Sequence, residues 1–249
     1  MIKLVISGCC GRMGQRITTL ASSDREFKLS GVIESKTHPA LGRKISEVLM
    51  IPGLDLEIKD DPEIIKDADV LIEFTNPSAT VEHIDFVVKH KKSAVIGTTG
   101  LDSQQFLKIK EAGQFIPIVF SPNMSLGVNL VFRLVKEAAQ RLGSSYKVDI
   151  VEAHHIHKKD APSGTAKRLA ELIKATPGHK EEKIKIDSIR KGEIVGDHQV
   201  RFDSPNDEII IKHSAKSRDI FALGALEAAK FVIKQNPGLY DMQDVISVC

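Results

Sequence analysis

Between Glu152 and Ala166 the chain runs EAHHIHKKDAPSGTA, gathering three of its nine histidines, two lysines and a Ser-Gly-Thr step into fifteen residues. Imidazole titrates near neutrality and can deliver a proton. An ammonium adds fixed positive charge or, when desolvated, a second acid. His154 and Lys158 stand just past a strand pattern, close enough to meet one ligand, and are the candidate proton donors. Ser163 has the character of a helix N-cap, which leaves the amides of Gly164, Thr165 and Ala166 turned towards an anion. Pro162 stiffens the approach, and glycine admits a carboxylate to the backbone. The chemistry on offer is protonation of a small acid, and a molecule with two carboxylates suits it best.

Other uses of these residues fit less well. The HHxH run at 154–157 has no nearby cysteine or well-spaced carboxylate to complete a metal set, so no metal ligands are assigned. Ser163 lacks the elbow motif of a hydrolase nucleophile. Taken alone, HHIHKK suits a solvated basic loop, and the following APSGTA turns the balance towards an anion site. One or two of the histidines could be structural partners of Glu152 or Asp160.

A second motif, GCCGRMG, places glycines at 8, 11 and 14 directly after the apolar run IKLVIS. Gly8 permits a tight turn, Gly11 lets backbone approach a pyrophosphate, and Gly14 lets a helix pack closely on the strand. Glu34, about 20 residues past Gly14, has the spacing of an acid that grips an adenosine ribose. The spacing departs from the usual fingerprint, because Cys10 stands where glycine is expected. A carboxylate at 34 favours NAD by repelling a 2′-phosphate, whereas Ser35 and Lys36 beside it could donate to one. A glycine turn that merely joins strand to helix is the bland alternative. Gly97-Thr98-Thr99-Gly100 and Ser121-Pro122-Asn123-Met124 each follow a further apolar run, where ligands gather in open parallel sheets.

The elements that must position these residues follow from periodicity. Short uninterrupted apolar runs at 2–7, 28–33, 70–74, 94–96 and 116–120 are expected strands, alternating with helices near 13–21, 79–89 and 103–112. That alternation indicates a parallel sheet covered on both faces. A helix is expected at 129–142, with Leu130, Val131, Leu134, Val135 and Ala138 at helical spacing. A strand at 148–153, a helix at 164–175 and strands near 183–189, 199–203 and 208–213 follow, suiting a more antiparallel sheet. A last helix at 221–233 precedes the turn at 236–238. The expected fold is α/β, an N-terminal Rossmann-like dinucleotide-binding domain at 1–125 and an α+β domain at 126–215. Residues 216–249 are expected to return to the first domain.

Size and charge bound the partners. A chain of 249 residues buries a full core, and a net charge of +2 without a basic stripe gives no sign of nucleic acid. No apolar run approaches the roughly 20 residues of a membrane helix. Three cysteines, two adjacent, make no disulfide framework, so a cytoplasmic protein is expected.

With these residues in view, the chain resembles the bacterial 4-hydroxy-tetrahydrodipicolinate reductase family, formerly dihydrodipicolinate reductase. The resemblance rests on GxxGRMG at 8–14, Glu34, EFT at 73–75, GTTG at 97–100 and SPNMSLGVN at 121–129. It continues through EAHHIHKKDAPSGTA, GEIVGDH at 192–198, SRDIFALGAL at 217–226 and GLYDMQDV at 238–245, spanning the chain. It implies a reductase of the diaminopimelate–lysine pathway that passes hydride from NADH or NADPH to a cyclic unsaturated dicarboxylate. His154 and Lys158 would be its proton donors, and His155, Gly164 and Thr165 its substrate contacts. Gly8, Cys9, Cys10, Gly11, Arg12, Met13, Glu34, Gly97, Thr98, Thr99, Ser121, Pro122, Asn123 and Met124 would hold the cofactor. Ser35 replaces an arginine common in the family, and Ile156 a basic residue of some members. The resemblance also implies a homotetramer joined through the sheet of the second domain. A related oxidoreductase for another small acid, and a nucleotide-binding redox sensor without catalysis, are the competing readings. A sensor needs no proton donor, and neither Cys9 nor Cys10 stands in a catalytic context.

Overall fold

Six residues, Ile2–Ser7, form β1, whose last four side chains are all buried. Such a strand needs cover on both faces and takes parallel partners. The computed structural model describes residues 1–177 and 184–248, and within them β1 is an interior strand of a seven-stranded parallel sheet. Its neighbours are β2 (Phe27–Ile33) and β3 (Ile58–Lys59) on one side. On the other lie β4 (Val70–Glu73), β5 (Ser93–Ile96) and β6 (Pro117–Phe120), with β11 (Gly238–Tyr240) at the edge. The order β3-β2-β1-β4-β5-β6-β11 is doubly wound, and the chain changes direction between β1 and β4. At that switch point Ser7 is level with Glu73, and loops leaving the carboxyl ends diverge to leave room for a ligand.

Helices α1 (Arg12–Ser23), α3 (Pro77–Lys89) and α4 (Ser103–Ala112) connect the strands. Their starts are written locally. Asn76 accepts from the Ala79 amide ahead of Pro77, and Asp102 with Gln105 closes a capping box. Ile84, Val87 and Ile109 pack against Val5, Leu71, Ile96 and Ile118 of the sheet. Each such side chain contributes about 1.5–3 kcal/mol on leaving water. This unit comprises Met1–Ser125 and Phe221–Cys249. The C-terminal part is anchored through α7 (Asp219–Val232), where Lys230 pairs with Glu26 and lies 5.4 Å from the centre of the Phe27 ring.

The second unit is Leu126–Ile220. Its four-stranded sheet has the order β10-β9-β7-β8, with β7 at Lys147–His154, β8 at Ile184–Arg190, β9 at Gly196–Asp203 and β10 at Glu208–Ala215. The antiparallel expectation holds for β7–β9 and β9–β10, but β7 and β8 run parallel, so the sheet is mixed. Lys183, the first residue of the strand expected near 183–189, lies outside the described residues.

Helices α5 (Leu126–Leu142) and α6 (Gly164–Lys174) cover one face through Val131, Phe132, Val135, Leu169 and Ile173. Of the residues expected at helical spacing on α5, Val131 and Val135 are buried, whereas Leu130 and Leu134 are 49% and 46% exposed. Val128, Phe132 and Ala139 are buried with them, so the buried face of α5 is rotated away from Leu130 and Leu134. Small elements at the sheet margins, α2 (Ile45–Leu49), β3, β11 and α8 (Met242–Ile246), were not anticipated. Among the described residues no helix is long and apolar enough to cross a membrane.

Candidate active site

On the helix-covered face of the mixed sheet, side chains change from apolar to polar along each strand. Along β7 the inward row is Val148, Ile150, Glu152, His154, and along β9 it is Phe202, Val200, His198, Gly196. On β8 the row ends in Ser188 and Arg190, level with Glu152 and His154. One end of the face is thus core, and the other is a cluster of titratable groups.

Glu152 is fully buried and organises the cluster. Its carboxylate receives both terminal nitrogens of Arg190, at 3.0 and 2.9 Å, and the Ser163 amide at 3.3 Å. Its Oε2 also lies 2.5 Å from His154 Nδ1. Burial raises the Glu152 pKa, but hydrogen bonds from Arg190, Ser188 and His154 outweigh it and hold the group at about 2. Glu152 therefore stays ionised, and it fixes the proton of neutral His154 on Nδ1. Nε2 has no partner among the described residues. A Cβ at Gly196 would stand 3.1 Å from that nitrogen, so glycine keeps it uncrowded. Burial lowers the His154 pKa, with Glu152 acting in the opposite sense.

Ser163 joins this cluster to α6. Its Oγ accepts from the Ala166 amide at 3.2 Å, completing the N-cap, and lies 3.1 Å from His198 Nε2. The His198 and His154 rings meet edge to face at 5.1 Å. Gly164 opens the helix with no acidic residue in the first turn, and a Cβ placed there would meet nothing within 4 Å. Packing therefore does not demand a glycine at 164. Lys158 Nζ lies 2.9 Å from Asp160, whose pKa it lowers, and Arg190 holds the Asp160 carbonyl at 2.6 Å. His155 is half-buried, while His157 and Lys159 are exposed. The histidine triplet does not converge on a metal. Among the described residues, the only three such ligand atoms within 4.8 Å of one another belong to Cys9, Cys10 and Glu34.

In the first unit the glycine turn has a more restricted geometry than its spacing suggested. Gly8 has φ +75°, and a Cβ on Gly14 would lie 2.0 Å from the Gly8 carbonyl oxygen, so helix and loop backbones touch. The amides of Gly8 and Cys9 both bond the Ile33 carbonyl, and that of Gly11 bonds Gly8. The Cys10 amide donates to Glu34 Oε2 at 2.9 Å, while Glu34 Oε1 takes the Ser35 amide at 2.9 Å. The loop amides expected to meet a phosphate are therefore already engaged. Arg12, Met13 and Gly14, at the uncapped start of α1, have no amide acceptor among the described residues. A helix start with no acidic residue and bare amides fits a pyrophosphate.

Several side chains of the expected cofactor loops face inward. The Cys9 side chain is wholly buried and Met124 is 1% exposed, so both pack in the core. Thr98 is turned inward, its hydroxyl receiving the Thr75 amide at 3.2 Å and the Thr80 hydroxyl at 2.8 Å. Gly97 is required by the Phe74 ring, which a Cβ would approach to 2.2 Å. Ser121 Oγ donates to the Asn123 carbonyl at 2.9 Å, shaping the turn after β6, while Thr99 and Pro122 are exposed. Sequence reasoning missed Arg190, His198 and Gly196 as members of the histidine cluster. It also missed the buried Glu73–His83 pair (2.8 Å) under the nucleotide-type loops.

A doubly wound sheet with a bare helix start in one unit, and a carboxylate-oriented histidine beside a helix start in the other, define the class. They describe a dinucleotide-dependent oxidoreductase acting on a small molecule. The family models for dihydrodipicolinate reductase match the chain throughout, the N-terminus at residues 2–124 and the C-terminus at 127–246. The chain belongs to the dihydrodipicolinate reductase family, and with it come an oxidoreductase activity and a nicotinamide dinucleotide cofactor.

It is 40% identical to the 4-hydroxy-tetrahydrodipicolinate reductase of Syntrophus aciditrophicus, over 99% of this chain and 98% of that protein. Its identity to the Syntrophotalea carbinolica protein of the same name is 41%, over the whole of both. In fold it is similar to a dipicolinate-bound dihydrodipicolinate reductase from Paenisporosarcina sp. TG-14. The TM-score is 0.82 at 24% identity, covering 97% of each chain.

Proposed function

We propose that the chain reduces 4-hydroxy-tetrahydrodipicolinate to tetrahydrodipicolinate in the diaminopimelate route to lysine, in the cytoplasm, using either NADH or NADPH. The observation that carries this reading is the buried Glu152–His154 pair at 2.5 Å, placed beside the Ser163-capped start of α6 in a chain of this family.

Residues 1–125 serve as the dinucleotide-binding domain, 126–215 bind substrate and assemble the oligomer, and 216–249 complete the first domain. The amides of Arg12 and Met13 hold the pyrophosphate, and Glu34 turns from the Cys10 amide to the ribose hydroxyls. Ser35 and Lys36 accommodate a 2′-phosphate when NADPH binds. Gly97–Thr99 and Ser121–Met124 line the nicotinamide half through their backbone. When bound, the reduced nicotinamide supplies a hydride to the substrate ring.

The amides of Gly164 and Thr165, with His155, bind and orient one substrate carboxylate, and Lys158 balances the second negative charge. Protonated His154 releases a proton from Nε2 to the ring as reduction leaves it electron-rich, and Glu152 keeps the imidazole in line throughout. Burial holds the free histidine below its ordinary pKa, and a dianion beside Nε2 restores its charge when substrate binds.

The test is a coupled assay with freshly generated substrate, following nicotinamide absorbance separately with each cofactor. Consumption is expected with both NADH and NADPH, and consumption of neither would overturn the reading.

A further inference from the structure

Two of the three cysteines are adjacent and share a loop with no disulfide among the described residues. Cys9 Sγ and Cys10 Sγ lie 3.9 Å apart. A tetrahedral ion with metal–sulfur bonds of about 2.3 Å sets its sulfur ligands about 3.8 Å apart, so the two thiols already span one edge of such a site. A carboxylate oxygen of Glu34 lies within 4.8 Å of both sulfurs. That carboxylate is no wandering surface acid, because the Cys10 and Ser35 amides each hold one of its oxygens at 2.9 Å.

We propose that Cys9, Cys10 and Glu34 form a binding site for a soft divalent cation of the zinc class, and that its occupation excludes the nucleotide. The donor set selects the metal. Two sulfurs and one oxygen suit zinc or cadmium and discriminate against magnesium and calcium, which require oxygen ligands. On binding, each thiol passes its proton to solvent as a sulfur–metal bond forms, and no electron changes hands. Three protein ligands leave a fourth position for water. Cys9 forms the buried floor, while half-buried Cys10 and Glu34 lie on the side from which an ion enters.

The exclusion of nucleotide rests on the cofactor reading above. A metal-bound Glu34 is lost to the ribose, and an ion on Cys10 occupies the turn that leads to the phosphate-binding amides. The spacing of Glu34, 24 residues from Cys10, hid this set in the sequence, where only the histidine run suggested a metal.

Cadmium is the probe, because its thiolate complexes absorb in the ultraviolet. Titration of the intact apo-protein is expected to give a sulfur-to-metal charge-transfer band that saturates at one equivalent. Cys10→Ser is expected to weaken binding at least tenfold with an unchanged circular dichroism spectrum, and Cys249→Ser to leave the band intact. NADH at saturating concentration is expected to raise the apparent cadmium Kd at least tenfold. No band at stoichiometric cadmium, or a band unaltered in Cys10→Ser, would overturn the site while leaving nucleotide binding untouched. A normal band indifferent to bound NADH would overturn the exclusion. Failure of NADH to bind metal-free protein would instead overturn the cofactor reading, with the cadmium band standing.

Discussion

Glu152 shows most clearly what single residues do here. The sequence marked it as a possible histidine partner, but its true weight comes from Arg190, 38 positions away on the neighbouring strand. Spacing within one strand could reveal that residues 152 and 154 share a face, and nothing local could reveal the arginine. Glu152→Gln is expected to lower kcat about 100-fold or more, because imidazole orientation and charge support are both lost. It also takes the carboxylate from the partly buried Arg190 guanidinium, which costs about 2 kcal/mol of stability. A distinguishing readout is the pH profile. Glu152 raises the His154 pKa, so in the variant kcat/KM should begin to fall at lower pH than in the native enzyme. An unmoved limb would assign Glu152 a purely structural role.

His198 makes a second residue-level prediction. Burial first, and then the charge on His154, depress its pKa from 6.5 to about 4. Between those values the unfolded chain takes up a proton that the folded chain refuses, so stability falls as pH drops from 6.5 to 4. Urea midpoints measured across this window should decline in the native protein and decline less in His198→Gln.

At the scale of elements, the principal strands and helices were legible because their apolar runs are uninterrupted and their caps are local. The strand–turn–helix at 2–23 needed only IKLVIS and three glycines. Other features depended on pairing. The parallel partnership of β7 with β8 is set by tertiary register, as is the rotation of α5 that exposes Leu130 and Leu134. The marginal strands β3 and β11, of two and three residues, are too short to show a period. At the α1 start the glycine spacing suggested an anion site, while which amides remain available depends on the tertiary contacts of Glu34 and Ile33. Gly14→Ala tests that junction. Its methyl would lie 2.0 Å from the Gly8 oxygen, forcing helix and loop apart. The expected cost is about 3 kcal/mol in stability, with nucleotide affinity reduced at least tenfold by fluorescence titration.

For the molecule as a whole, the face of the mixed sheet opposite α5 and α6 carries Lys147, Asp149, Lys185, Asp187 and Arg201 around Ile210. Ile210 is 49% exposed, and the interspersed charges can pair with those of a second copy. The homotetramer implied by the family resemblance is expected to form through this face. Ile210→Asp should then shift the native mass by light scattering from four chains towards smaller species, and a native protein that runs as a monomer would refute this assembly.

The larger claim is a division of labour, with nucleotide held by the first unit and the proton delivered by His154 of the second. Parallel measurement of nucleotide affinity and turnover in His154→Ala tests it most directly. The account predicts an NADH Kd within twofold of the native value and a kcat lower by about 100-fold or more. Native turnover in that variant would contradict it.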